Sequence, residues 1–173
     1  MYFFRFALVV ATAFALTACS SHKTVISSDG SSVTTSDNGK TATIDTKDGS
    51  VTVGADVDPA KLGAPVYPGA TKSDQGSIAV NASSGANVLA SFKTPDSFDK
   101  VYAFYKAQLP SGAEKMKIEE SGSSMASFQI ADAKSGEQTS VMVEGKDGET
   151  DILITHGSGQ FGSSASPSDQ STP

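Results

Sequence analysis

The chain has 173 residues, a formal charge of −6 and a hydrophobic share of 38%, enough for one modest domain with flanking segments. An acidic balance excludes the basic face that nucleic-acid binding needs, and also electrostatic docking onto anionic lipid headgroups. The single cysteine excludes an intramolecular disulfide.

The chain opens with Arg5 beside the terminal amine, and residues 6–16 are apolar apart from Thr12. That is the charged-then-apolar layout of a signal peptide, too short for a spanning helix of ~20 residues. It closes on Leu16-Thr17-Ala18-Cys19: an aliphatic residue, two small residues and the cysteine. This sequence resembles the lipobox of bacterial prolipoproteins. The resemblance implies cleavage between Ala18 and Cys19, a diacylglyceryl group on the Cys19 sulfur and a palmitate-type chain on the new amine. Two or more acyl chains anchor a protein stably, whereas one holds it only marginally. An aspartate after the cysteine favours inner-membrane retention in enterobacterial members of that class. Ser20 stands there instead, so the resemblance implies an outer-membrane protein facing the periplasm if the cell is Gram-negative. The competing reading is an ordinary secretory signal in which Cys19 follows Ala18 by chance.

Residues 19–31 are expected to form the lipidated terminus and a flexible tether, with a reach of roughly 16–23 Å for ten to fifteen residues. Residues 32–54 hold short alternating runs, Ser32–Thr35, Thr41–Asp45 and Ser50–Val53, between turn signals Asp29-Gly30, Asn38-Gly39 and Asp48-Gly49. Asp-Gly and Asn-Gly supply the positive φ of tight hairpins, so a small β-meander is expected. None of these turns has the ligand spacing of an EF-hand loop, so no calcium site is read here.

Residues 55–157 are expected to form the main domain. Asp58-Pro59 opens a helical turn that Gly63 ends. Pro68-Gly69 is a sharp turn. Strands are expected at Ser77–Asn81 and Asn87–Lys93. Pro95 to Leu109 is the clearest helix, with Thr94 as N-cap. Phe98, Val101, Tyr102, Tyr105 and Leu109 recur at spacings of three and four, forming one apolar stripe. Four strands follow at residues 115–119, 126–131, 140–144 and 151–155, with the last two joined at Lys146-Asp147-Gly148-Glu149. The fold class is therefore α+β: an antiparallel sheet packed on one main amphipathic helix, preceded by the small β-meander. Residues 158–173, rich in Ser, Gly and Pro, read as a disordered tail.

Pro65-Val-Tyr-Pro-Gly-Ala70, Thr94-Pro-Asp-Ser97 and Val101-Tyr-Ala-Phe-Tyr-Lys106 together are similar to a module found in many secreted bacterial proteins of unknown activity. That resemblance marks a domain and implies no reaction.

No catalytic constellation is assembled. His22 falls in the tether and His156 at a strand end. With Cys19 lipidated there is no Cys/His zinc set, and no nucleophile elbow or phosphate loop occurs. Glu144, Asp147, Glu149 and Asp151 are expected to be spread along a hairpin as a solvated acidic face, apart from Glu119 and Glu120. Tyr67 and Phe104 are the candidate ligand-binding pair, since Phe104 lies off the helix stripe and could line a helix–sheet groove with Tyr67. The expectation is thus a non-enzymatic, lipid-anchored envelope protein with no catalytic residue, metal or cofactor. Its partners would be the membrane, through Cys19, and another envelope protein. The alternative is a small-ligand or glycan binder.

Overall fold

The computed structural model describes residues 23–158, apart from 28, 29, 37, 38 and 84. The signal segment with Ala18 and Cys19, His22, and tail residues 159–173 lie outside the described residues.

Among the described residues, ten strands form one antiparallel sheet: β1 (Lys23–Ile26), β2 (Ser32–Ser36), β3 (Thr41–Thr46), β4 (Gly49–Val53), β5 (Thr71–Ala82), β6 (Gly85–Thr94), β7 (Glu114–Glu120), β8 (Ser123–Ala131), β9 (Gln138–Lys146) and β10 (Glu149–Gly157). One α-helix, α1 (Phe98–Gln108), lies between β6 and β7. The strand order is β1-β2-β3-β4-β5-β6-β10-β9-β8-β7. The chain zigzags to β6, crosses the sheet through α1 to the far edge at β7, then zigzags back until β10 pairs with β6. Tight turns make the zigzags. Asp147 and Gly148 both have positive φ (54° and 85°), the geometry that matches the twist of the flanking strands.

The helix forms where the apolar stripe predicts it, and packs across β8, β9 and β10. Phe98, Val101, Tyr105 and Leu109 are buried against Phe92, Ala126, Phe128, Val141, Val143, Ile152 and Ile154. These strand residues alternate along their strands, so all project from the helix side of the sheet. Each fully buried large side chain contributes roughly 1.5–3 kcal/mol before ordering costs. Val57, Leu62 and Ala64, from the segment ahead of β5, complete the core. That segment holds its place through a 3-10 turn (Pro59–Lys61), with the Asp58 carboxylate accepting from the Ala60 N–H at 3.0 Å.

The structure differs from expectation in two places. Lys23–Ile26, assigned to the tether, forms β1 and pairs with β2 from Lys23↔Thr35 to Ile26↔Ser32. The run is short and polar at its start, yet Thr24 and Thr34 meet hydroxyl to hydroxyl at 3.1 Å. The helix starts three residues later than Pro95, because β6 runs on to Thr94, opposite Thr150. Thr150 Oγ1 donates to the Asp96 carbonyl at 2.7 Å, holding Pro95-Asp96 out of the helix. Ser97 is the N-cap in place of Thr94, without a side-chain cap bond. The strands of the expected meander at 32–53 join the main sheet: β4 pairs with β5 from Gly49↔Ala82 to Val53↔Ile78.

Candidate functional site

With the helix side filled, the opposite face of the sheet stays open. On β6, β10, β9 and β8 that face carries Leu89, Leu153, Met142 and Ser127, because Leu153 stands opposite both Ser91 and Met142, and Met142 opposite Ser127. Here the sheet forms a groove of about 550 Å³. Leu89, Met142, Leu153 and Ile130 supply apolar surface, and Asn87, Ser127, Gln129, Gln138 and Thr155 supply hydrogen-bonding groups. No aromatic ring lines it. Its one ionisable side chain is Lys115, whose ammonium donates to the Gly112 carbonyl at 3.0 Å. A lining of this kind can hold an uncharged molecule with apolar and amide- or hydroxyl-bonding parts. Its lining includes no histidine or carboxylate.

A smaller hollow of about 140 Å³ continues the face, lined by Ser73, Ser91, Met142, Glu144, Asp151 and Leu153 among others. Register places Glu144 directly opposite Asp151, and Lys93 on the other side of Asp151. The acidic residues of this hairpin lie along it: Glu144 and Asp151 are cross-strand neighbours, Asp147 sits in the turn and Glu149 stands opposite Lys146. Among the described residues no cluster of three or more His, Cys, Asp or Glu could hold a metal ion.

Tyr67 and Phe104 do come together. Their rings meet edge to face with centroids 5.2 Å apart, and both pack against the core from partly buried positions. They fill the space between helix and loop by touching each other. The hollow at the C-terminal end of α1, about 310 Å³, is lined by Tyr105, Lys106, Leu109, Glu114 and Phe128 among others, and by neither Tyr67 nor Phe104. The Tyr67 hydroxyl donates to Asp96 Oδ2 at 2.9 Å, and Lys100 Nζ bonds Asp96 Oδ1 at 3.0 Å. Lys100 first, then Tyr67, holds the Asp96 carboxyl below its ordinary 3.8. Burial, with Asp96 adding to it, pushes the Tyr67 hydroxyl up. This cluster latches the Tyr67 loop to the start of α1.

His156 stands beneath the loop rather than in solvent, with Nδ1 2.9 Å from Thr139 Oγ1. Gly63, at φ 67°, lies directly over both side chains.

A family model described as START domain-like matches residues 71–170. The chain belongs to the START domain-like family. Within the described residues, the START-like match takes in β5 to β10 and α1, hence the groove and most of the core. Val57, Leu62, Ala64 and Tyr67 come from the segment just before it, and β1–β4 precede that. No curated protein and no solved structure shows significant similarity to the chain.

Sequence reasoning passed over the groove residues. Met142 lies inside Val141-Met142-Val143 and Leu153 inside Ile152-Leu153-Ile154. Three consecutive apolar residues in a strand signal that both faces are covered or in use. The alternation was read for the core face alone.

Proposed function

We propose that the protein is a lipid-anchored lipoprotein of the cell envelope, held by acyl chains on Cys19. In a Gram-negative cell it faces the periplasm from the outer membrane, and its START-like domain is a non-enzymatic binding module. The observation that carries the binding assignment is the open-face groove, with Leu89, Met142 and Leu153 beside Asn87, Ser127 and Gln129. The ligand class that suits it is uncharged and amphipathic. A glycan suits it less, because sugar faces stack on aromatic rings and the groove has none.

The second reading is protein contact. It is favoured by β7, which among the described residues is an edge strand, with Met116 and Ile118 exposed at 38% and 43%. Such an edge accepts an added strand from another envelope protein.

Two experiments test the two halves separately. Cys19→Ser should accumulate as unprocessed precursor and take up no labelled palmitate; normal maturation of that variant ends the anchor assignment. Native mass spectrometry of the protein extracted from envelopes should show a small-molecule adduct that Leu153→Lys removes. A wild-type spectrum free of adducts, unchanged by added neutral amphiphiles, ends the groove assignment and leaves the edge strand.

A further inference from the structure

The open face does not stop at the groove. Register carries it from Leu89 to Ile78, Val53 and Ala42, and from Val51 through Ile44 and Val33 to Val25. Residues directly opposite in antiparallel strands share a face, so Val25, Val33, Ile44 and Val53 form one surface, while Ile26, 74% exposed, stands opposite Ser32 on the other side. Val25 is 61% exposed, Val33 39%, Ile44 42% and Val53 43%. Apart from Ile26 and Asp45, the reverse side of the same strands is hydroxylated: Thr24 meets Thr34, and Thr43 meets Thr52, each at 3.1 Å. The sheet is amphipathic here, and among the described residues no helix covers its apolar side.

We propose that this apolar face of β1–β4 rests on the lipid bilayer in which Cys19 is anchored, an inference that depends on the lipid-anchor reading above. Chain length is the first argument. Only three residues separate Cys19 from Lys23, where β1 begins. Four residue steps reach at most about 14 Å even when extended. Acyl chains on Cys19 therefore hold β1 against the headgroups, with no long tether to lift it away.

Charge is the second argument. An acidic protein is repelled by anionic headgroups, so only a surface free of carboxylates can approach closely. From β1 to the Ile78–Ala82 part of β5 and its partners on β6, the strand positions on this face among the described residues are Val, Ile, Leu, Ala, Gly, Thr and Asn, with one cationic position, Lys23, opposite Thr35, and no carboxylate. The one carboxylate within β2–β4, Asp45, sits opposite Ser32 and Ser50 on the hydroxylated side. Lys40, Lys47 and Asp48 lie in the turns. The face that geometry brings to the membrane is thus the one electrostatics allows there. Shallow burial of Val25, Val33 and Ile44 would fix the orientation of a domain that the acyl chains alone leave free to tumble.

The chain contains no tryptophan, so single indoles report position cleanly. Val33→Trp and Ile44→Trp place one on the apolar face, and Thr43→Trp places one on the reverse side. The full acylated protein is reconstituted into phosphatidylethanolamine–phosphatidylglycerol vesicles with brominated acyl chains, and mass spectrometry verifies the adduct on Cys19. Indoles at 33 and 44 should be quenched at least about twofold more than the indole at 43. Equal quenching in acylated, vesicle-bound protein overturns the docking and leaves the anchor standing. Absence of the acyl adduct removes the anchor and the docking with it. A blue shift that grows with protein concentration in detergent, without vesicle quenching, assigns the face to a second copy and also overturns the proposal. Should the tryptophan variants misfold, hydrogen exchange on the wild-type chain decides. Amides of β1 and β2 should slow at least about tenfold on vesicles relative to the unacylated chain, and unchanged exchange overturns the docking.

Discussion

Tyr105 is fully buried, and its hydroxyl makes no hydrogen bond of proper geometry. Burial pushes that hydroxyl's ionisation up, and the nearby Tyr67 backbone opposes the rise. A buried donor without a partner costs about 1–3 kcal/mol of desolvation that nothing returns. Tyr105→Phe removes the hydroxyl and keeps the ring, which packs against Phe104 and Phe128 at centroid distances of 5.1 and 6.1 Å. Some of the gain is lost to the small void left by the oxygen. The net expectation is a stabilisation of about 1 kcal/mol, which for a domain of this size raises the melting temperature by about 3–5 °C. Tyr102→Phe is the contrast. That hydroxyl donates to Glu114 Oε1 at 3.0 Å, so its loss should cost about 0.5–1.5 kcal/mol. Urea unfolding of the soluble chain beginning at Ser20 reads both, as opposite shifts of midpoint at an unchanged slope. A loss of 1 kcal/mol or more in Tyr105→Phe would refute the reasoning, since it would mean that the hydroxyl is bonded after all.

Two further outcomes follow from the packing and the ion pairs. Gly63→Ala should destabilise the domain by about 2–4 kcal/mol, combining a left-handed backbone with a methyl driven onto Thr139 and His156; a thermal melt within about 0.5 kcal/mol of wild type would remove Gly63 from the core account. Lys106 first, then the Tyr102 hydroxyl, holds the Glu114 carboxyl below its ordinary 4.5, and the Asp96 carboxyl lies below 3.8. Groups depressed in this way contribute stability above their unfolded values and lose it as pH falls through the folded ones. Stability should therefore decline as pH drops below about 4.5, and Glu114→Gln should make the decline shallower; identical pH profiles for variant and wild type would show that the pair contributes nothing.

Local signals decided much of this protein. The 3.6-residue spacing of Phe98, Val101, Tyr105 and Leu109 fixes which face of the helix is buried, because one stripe is all a helix can offer a sheet. Two-residue alternation in Val141/Val143 and Ile152/Ile154 likewise marks the core face of β9 and β10, and Asp147-Gly148 sets their hairpin through its positive φ. These are properties of consecutive residues, so the amino-acid order determines them directly. What β10 pairs with, on either side, is not local. Only the closed tertiary structure sets β10 against β6 and sends β7 to the far edge, since pairing depends on where the α1 crossover lands. The same holds for Met142 and Leu153. Their neighbours in the chain make them look like core, and it is the helix, settling on the opposite face, that leaves them lining a groove. Alternation at Val33, Ile44 and Val53 announces a face without saying which way it turns. The sheet register turns it away from the helix, and that decides which surface of the protein is left for something else to cover.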